Sequence, residues 1–292
     1  NRAAAGELKW CGTLYPTAAS AQDAEMSLRA YEDFVFAAGL LDHDDPVASW
    51  RDIAARQQKV ADYLADKKEL RFRAANGTDL LVNVEGMTWI NCCGKENFPD
   101  GEVFTGPNLQ AADGGVNGVV RYTFPAVHHG REVHDIELTF ERGRVVDEKA
   151  SKNLDFLKAM LDQDEAARNL GEIAIGTNYQ IQRYTKNTLF DEKIGGTFHA
   201  AVGAGYPEPG NADSSGTTAA TFTSIAAPTI SGVDPGVVDP AGDQVTISGD
   251  DLTGATVVRF EGVDAAVFEV VDDSTITATT PELALGDPDF GS

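Results

Sequence analysis

The chain has 292 residues, of which 42% are hydrophobic and 24% are charged, a balance typical of a globular protein rather than of a disordered tail. Its formal net charge of −23 makes nucleic acids and anionic membranes poor partners, because binding to them depends largely on Lys and Arg. No apolar run approaches the roughly 18 residues that a membrane-spanning helix needs. At this length one large domain or two medium domains are expected.

The three cysteines are Cys11, Cys92 and Cys93. Their odd number and the absence of C-x-x-C spacing argue against a disulfide scaffold and against a structural zinc site. Buried thiols in a reducing compartment are the simpler interpretation. The first residues, "NRAAAGELKW", have neither an initiator methionine nor the layout of a secretion signal, so a mature or clipped product is expected.

Two amphipathic helices are predicted near the N-terminus. The shorter one covers about residues 27–38, "SLRAYEDFVFAA". The longer one lies in "DDPVASWRDIAARQQKVADYLADKK", where Asp45 is the expected N-cap and Pro46 the first helical residue. Its apolar residues recur near a period of 3.6 residues, which favours one buried face.

The middle of the chain begins with strand patterns. Residues 117–127 and 131–147 are predicted strands, and the second segment is predicted to form a hairpin that turns at Arg142 and Gly143. Residues 147–171 are then predicted to form one helix, since apolar residues share a face and Gly171 follows as a stop signal.

Two short segments complete the first part. "EIAIGTN", residues 172–178, is a predicted strand. "GGTFHAAVGAGY", residues 195–206, is apolar and spaced by glycines, so its periodicity leaves strand and helix start both open.

The composition then changes. Residues 207–228, "PEPGNADSSGTTAATFTSIAAP", are rich in Pro, Gly, Ser, Thr and Ala and have the character of a linker. The segments beyond it alternate apolar and polar residues at period two, broken by Gly, Asp and Pro. The predicted fold is therefore an α+β domain at 1–209, a linker at 210–226 and an all-β immunoglobulin-like sandwich at 227–292.

Three residues stand where glycines and small side chains let a ligand approach the backbone. They are Glu102 in "PDGEVFTGP", Glu172 in "LGEIAIGTN" and His199 in "IGGTFHAAVG". A hydrolytic metal site needs oxygen and imidazole ligands that converge and leave a position open for water. Glu172 follows Glu102 by 70 residues and precedes His199 by 27, and neither separation matches the short spacing of ligands on one helix. Two solvated carboxylates and an ordinary core histidine therefore remain alternatives.

A charged stretch, "FDEK", precedes His199 and contains Asp191, Glu192 and Lys193. These side chains are candidates to orient the ligands, and Glu192 is the candidate general base. A solvated cluster of charges is an equally open interpretation.

The sequence around these residues resembles that of the thermophilic-type metallo-aminopeptidases, the family of aminopeptidase T, aminopeptidase S and aminopeptidase II. The likeness covers nearly all of residues 10–209 and keeps the order of the family's motifs. It rests on four stretches: "YPTAASAQDAEMSLRAYEDFVFAAGLLDHDDPVASW", "GTDLLVNVEGMTWINCCGKENFPDGEVFTGP", "LGEIAIGTN" and "LFDEKIGGTFHAAVGAGYPE".

The resemblance implies a site of up to two divalent metal ions, Zn, Co or Mn, that removes the N-terminal residue from a peptide. On matching positions Glu102, Glu172 and His199 are the implied metal ligands, and Tyr206 in "GAGYPE" is the implied residue that stabilises the reacting carbonyl. Two metals lower the pKa of a bound water and stabilise the developing oxyanion. A cytoplasmic homodimer is also implied.

The sequence departs from the family pattern after "GYPEPG". The family continues with a His-x-Asp pair that completes the metal shell, whereas no histidine follows His199 here. His128, His129 and His134 in "AVHHGREVH" are available imidazoles, but their predicted hairpin makes them poor substitutes. Weak or absent turnover is therefore expected. The family's upstream α/β domain also has no counterpart, so a truncated or recombined chain is one alternative.

Residues 227–281 resemble the IPT/TIG immunoglobulin-like domain, through "PTISG", "DQVTISGDDL", "VVRFEG" and "TITATTP". The resemblance implies a spacer or a binding platform, usual on extracellular or phage-borne proteins, and a last strand that is missing here. An extracellular or virion-associated location is therefore the alternative to the cytoplasm. The alternative function is a non-catalytic structural or adhesion protein that carries a degenerate peptidase fold.

Overall fold

The computed structural model describes residues 9–205, apart from Glu96 and His129, and parts of the remainder. Those parts are residues 221–225, 229–234, 244–250, 258–260, 263–265, 267–272 and 274–279. The chain divides into two compact units, residues 1–226 and 227–292, and each is described by itself.

The helices of the described residues all lie in the first unit. α1 (Ala18–Asp23), α2 (Leu28–Ala38), α3 (Pro46–Ala65), α4 (Leu154–Leu161) and α5 (Thr188–Asp191) follow in chain order. The start of α3 is as predicted, because the Asp45 side chain accepts a hydrogen bond from the backbone N–H of Ala48 and Pro46 is the first helical residue. In the described part of the chain no helix is long and apolar enough to cross a membrane.

The strands of the first unit form two larger sheets and two small pairs. Their bounds are β1 (Gly12–Thr13), β2 (Glu69–Arg73), β3 (Asp79–Asn83), β4 (Ile90–Cys92), β5 (Asn97–Phe98), β6 (Glu102–Thr105), β7 (Val116–Arg121), β8 (Ala126–His128), β9 (Arg131–Val133), β10 (Glu137–Glu141), β11 (Arg144–Lys149), β12 (Leu170–Gly176), β13 (Phe198–Val202) and β14 (Thr221–Ile225). The first sheet has the order β11-β10-β7-β3-β2, and the second has the order β14-β13-β12-β6-β4.

Both five-stranded sheets are antiparallel, and their inward faces share one hydrophobic core. The first sheet contributes fully buried Leu80, Val120 and Leu138, and the second contributes Val103 and Ile173. Burial of apolar side chains on this scale is the main stabilising term for the unit. The β10–β11 hairpin turns at Arg142 and Gly143 as predicted, with φ of 51° and 87°.

A second, smaller cluster packs α1 and α2 against the segment that contains α5. Tyr31 and Val35 of α2 belong to it, as do Phe190 and Ile194. The rings of Tyr31 and Phe190 meet edge to face with centroids 6.3 Å apart. This cluster fixes the residues on either side of Glu192 and Lys193.

Two predictions of secondary structure are wrong. The helix predicted over 147–171 covers only α4, because residues 147–149 extend β11 and Leu170 starts β12. Residues at both ends of the segment pair with strands, and this pairing outweighs local helix propensity. Within the segment predicted to be a linker, residues 221–225 form β14 and pair with β13.

The second unit is built from antiparallel strands, as predicted for an immunoglobulin-like domain. Its strands are β15 (Thr229–Asp234), β16 (Gln244–Asp250), β17 (Arg259–Phe260), β18 (Val263–Asp264), β19 (Val267–Asp272) and β20 (Thr275–Thr279). The main sheet has the order β15-β16-β20-β19. Val245, Ile247, Ile276 and Ala278 alternate along β16 and β20 and form its core.

Candidate metal centre

The register of the second sheet places the three predicted ligands on one face. His199 on β13 lies opposite Ala174 on β12, and Glu102 on β6 lies opposite Gly176 of the same strand. Glu172 precedes Ala174 by two residues. Because side chains alternate along a strand and opposed residues share a face, all three side chains project from the same side. The opposite side of these strands belongs to the hydrophobic core.

Small residues leave space between the three candidate ligands. Ala174 is fully buried, and a Cβ added at Gly176 would lie 2.2 Å from the backbone oxygen of Ile194. The main chain at Ile194 therefore lies directly over β12. This close approach brings the neighbouring residues, Glu192 and Lys193, to the face that carries the ligands.

The imidazole of His199 is completely buried and is bound at both nitrogens. Its Nδ1 donates to the backbone carbonyl of Glu192 at 3.0 Å, since a carbonyl only accepts. Its Nε2 lies 3.1 Å from Oε1 of Glu172 and 3.3 Å from Oε2 of Glu102. The ring thus presents Nε2 to two carboxylates from different strands.

Lys193 is a buried cation beside this group, with 1% of its side chain exposed. Its Nζ lies 3.1 Å from Oε1 of Glu102 and 3.4 Å from Oε2 of Glu192. Glu102 is therefore contacted on both carboxylate oxygens, by Lys193 on one and by His199 on the other. A buried charge is tolerated only when it is paired in this way.

The stretch "FDEK" is fixed by packing and by hydrogen bonds. Phe190 is buried in the cluster with α2, and Asp191, 1% exposed, accepts hydrogen bonds from the backbone N–H and the hydroxyl of Thr185 at 2.7 and 2.9 Å. The interpretation of residues 191–193 as a solvated cluster of charges is therefore wrong. Burial raises the pKa of Asp191 to about 7 despite its hydrogen bonds.

Glu102 is positioned by its backbone as well as by its side chain. The buried side-chain amide of Gln57 on α3 donates to the carbonyl oxygens of Glu102 at 3.2 Å and of Cys92 at 2.9 Å. Just before Glu102, the carboxylate of Asp100 accepts hydrogen bonds from the backbone N–H groups of Gly94 and Gly101. Glu102 is 6% exposed, so the alternative of a solvated loop carboxylate does not hold.

The electrostatics of the cluster favour a positive charge at its centre. Burial opposes protonation of His199, but the hydrogen bond to Glu172 and the charges of Glu102 and Glu192 outweigh it and raise its pKa to about 9. Burial raises the pKa of Glu192 to about 7, with Lys193 opposing the shift. Carboxylates crowded into a buried site need cations near them, and a divalent metal ion supplies that charge.

The donor set suits a divalent transition metal. Within the described residues, ligand atoms of Glu102, Glu192 and His199 all lie within 4.8 Å of one another, and Glu172 reaches the same imidazole nitrogen. Imidazole nitrogen with carboxylate oxygen is a combination that binds Zn²⁺, Co²⁺ or Mn²⁺. A second group within the same limit is Cys92, Asp100 and Glu102.

Other predicted residues are placed differently. His134 makes a contact of 2.9 Å between its Nε2 and Oε2 of Glu132, and His128 lies by the ring of Phe156. Neither belongs to the two ligand groups of the described residues. Tyr206 and His129 lie outside the residues that the structure describes.

The sequence motifs give Lys193 no role beyond that of the charged stretch to which it belongs, and they give none to Gln57 or Asp100. The burial of Lys193 could have been predicted, since the large apolar residues Phe190 and Ile194 flank the charged stretch. Gln57 had none, because its contacts with β4 and β6 are made across 35 and 45 residues of sequence.

Comparisons with known proteins agree with this architecture. Residues 1–223 match the model of the family described as thermophilic metalloprotease (M29), and residues 228–290 match the IPT/TIG domain. Aminopeptidase 2 of Geobacillus stearothermophilus is 34% identical over 218 residues, which cover 68% of this chain and 51% of that protein. Aminopeptidase T of Thermus thermophilus is 34% identical over 202 residues, 63% of this chain and 47% of that protein.

A solved structure shares the fold. Wild-type AmpT from Thermus thermophilus superposes with a TM-score of 0.56 and 28% sequence identity, covering 76% of this chain and 54% of that chain. The chain thus spans about half the length of the relatives that it matches. The resemblances drawn from the sequence motifs, to the aminopeptidases and to the IPT/TIG domain, are confirmed. The chain belongs to the thermophilic metalloprotease (M29) family and carries an IPT/TIG domain after its peptidase-type domain.

Proposed function

We propose that this chain carries metal-dependent aminopeptidase chemistry, the hydrolysis of the N-terminal residue from a peptide by water bound to a divalent cation. The observation that supports it best is the meeting of Glu102 and Glu172 at Nε2 of His199, at 3.3 and 3.1 Å, from three different strands. The relatives named aminopeptidases support the choice of reaction.

The residues present fit a divalent metal ion. Glu102, Glu172 and His199 would hold Zn²⁺, Co²⁺ or Mn²⁺, and Glu192 lies within reach of the same position. Such an ion, when bound, lowers the pKa of a coordinated water and polarises a carbonyl. The bond from His199 Nδ1 to the Glu192 carbonyl keeps Nε2 directed at the ligand position.

Glu192 is the proton acceptor in this proposal. Burial, with the nearby charge of Glu102 added to it, raises the pKa of its carboxyl to about 7, and Lys193 opposes that shift. A general base works best when its pKa lies near the working pH, because it is then both partly ionised and basic enough to take the proton. The place of its carboxylate among the ligand atoms would let Glu192 take the proton of the attacking water.

The peptide enters from the side of Glu172 and Glu192. Their side chains are 12% and 16% exposed, whereas those of His199 and Lys193 are 0% and 1% exposed. The side of the cluster formed by His199 and Lys193 is thus closed to solvent, and Glu172 and Glu192 lie on its more accessible side. Carboxylates at the entrance attract the ammonium group at a peptide's N-terminus, which favours cleavage at that end.

Tyr206 is proposed, from the family resemblance alone, to stabilise the reacting carbonyl. The homodimer is a proposal with the same basis. For the IPT/TIG domain we propose a role as a spacer or binding platform, from its match to that domain family alone.

The test uses the full chain, stripped of metal with a chelator and reloaded with Zn²⁺, Co²⁺ or Mn²⁺. Release of the first residue from a free peptide, and none from the same peptide acetylated at its N-terminus, is the expected result. Glu172→Gln removes one ligand oxygen charge and should lower both metal content and turnover, while Glu141→Gln, an exposed glutamate at the end of β10, should change neither. A folded chain that binds no metal and releases nothing would favour the non-catalytic alternative.

A further inference from the structure

Lys193 is the one lysine among the fully buried large side chains of the described residues. We propose that its ammonium group is a built-in counter-cation that takes the place of a second metal ion, so that this chain binds one divalent cation, on the His199 side of Glu102. The inference rests on the proposed metal site and sets its stoichiometry.

The two oxygens of Glu102 are already divided between two cationic groups. Oε2 lies 3.3 Å from Nε2 of His199, the position proposed for the metal. Oε1 lies 3.1 Å from Nζ of Lys193. A carboxylate that bridges two metal ions offers one oxygen to each, and here the ammonium group holds the second oxygen.

Within the described residues, the remaining group that could hold another cation is Cys92, Asp100 and Glu102. Asp100 accepts one hydrogen bond on each oxygen, from Gly101 at 3.0 Å and from Gly94 at 2.9 Å, and each carboxylate oxygen has a second lone pair for a cation. Cys92 would join such a site as a thiolate, since metals bind the thiolate. The charge on Lys193 acts on both Cys92 and Asp100, so a second cation there would meet a positive charge already in place.

The main chain holds Lys193 where it is. Its N–H donates to the carbonyl of Phe190 at 3.0 Å, and its carbonyl accepts from the N–H of Asn178 at 3.0 Å. The residues on either side of the loop, Phe190 and Ile194, lie in the cluster with α2. With 1% of the side chain exposed, the ammonium group is shielded from bulk solvent.

The experiment counts tightly bound metal ions per chain. The full chain is loaded with Co²⁺, passed through gel filtration to remove weakly held ions, and analysed for metal and protein. We expect one ion in the wild type, two in Lys193→Met and one in Lys193→Arg, which keeps the charge. Lys186→Met is the matched control and should stay at one, because Lys186 is 30% exposed and pairs with Glu132.

The outcomes separate the two proposals. Two ions in the wild type, or one ion in a folded Lys193→Met variant, overturns the role of Lys193. No ion in the wild type contradicts the proposed metal site itself. X-ray absorption of the Co²⁺-loaded wild type gives a second reading that needs no variant: a Co–Co distance of about 3.5–4 Å would overturn the inference, and its absence is expected.

Discussion

The main chain of Glu192 holds the imidazole of His199, with Nδ1 donating to the Glu192 carbonyl oxygen at 3.0 Å. The same residue places its carboxylate among the ligand atoms around His199. One residue therefore orients the ring through its backbone and adds charge through its side chain. This double role couples the position of the loop at 190–194 to the ability of His199 to bind a cation.

Replacement of His199 by glutamine should abolish tight metal binding. The variant loses the one nitrogen that faces both Glu102 and Glu172, so metal affinity is expected to fall by about 100-fold or more. Isothermal titration with Zn²⁺ measures the change. His134→Gln is the control, because His134 contacts Glu132 instead, and equal affinity in the His199 and His134 variants would refute the assignment.

The metal-free chain should lose stability as the pH rises. The pKa of His199 is raised to about 9 in the folded chain, above its ordinary value of 6.5, so its contribution is fully present below about pH 6.5 and is lost as the pH rises through about 9. Thermal melting in a chelator, from about pH 6.5 to 9.5, measures this loss. His199→Gln should show a flatter profile in that range, and an equally steep profile in the variant would contradict the prediction.

Gly176→Ala should disturb the centre through the loop above it. The new Cβ would lie 2.2 Å from the backbone oxygen of Ile194, so the loop must move, at a cost of about 1–3 kcal/mol in unfolding free energy. Metal affinity should fall as well, because the carbonyl of Glu192, two residues before Ile194, holds the imidazole of His199. Gly86→Ala is the control for metal affinity: its φ of 78° also makes the substitution strained, but its Cβ meets nothing within 4 Å, so metal affinity should not change.

Arg168 is predicted to stabilise the first unit through two ion pairs. Its guanidinium, 16% exposed, lies 2.8 Å from Glu148 of β11 and 2.8 Å from Asp162 at the end of α4. Arg168→Met leaves Glu148, 11% exposed, without that partner and should cost about 2 kcal/mol in a urea titration. Arg71→Met, which removes an exposed pair with Asp79, should cost far less.

Local chemistry explains why some elements could be predicted. The start of α3 depends on Asp45 and Pro46, which act within one turn, and the β10–β11 turn is marked by Arg142 and Gly143, whose φ angles are positive. The helix predicted over 147–171 failed because Leu170 pairs with Val202, a partner 32 positions away that local periodicity does not reveal.

For the candidate site, too, local motifs predict some features, and long-range contacts set the others. Glu102, Glu172 and His199 could be named from their motifs, but their common face follows from the register of β6, β12 and β13, which no local pattern sets. The burial of Lys193 depends on packing between Phe190 and α2, so the sequence alone leaves open whether its charge is solvated or orients the ligands. Long-range pairing and packing, rather than composition, assemble the centre.

The most direct test of the account is a crystal of the full chain soaked with Zn²⁺, with anomalous difference density collected at the zinc absorption edge. The account predicts a peak about 2.0–2.2 Å from Nε2 of His199 and from carboxylate oxygens of Glu102 and Glu172. No peak at His199, or a peak held by other residues, would contradict it.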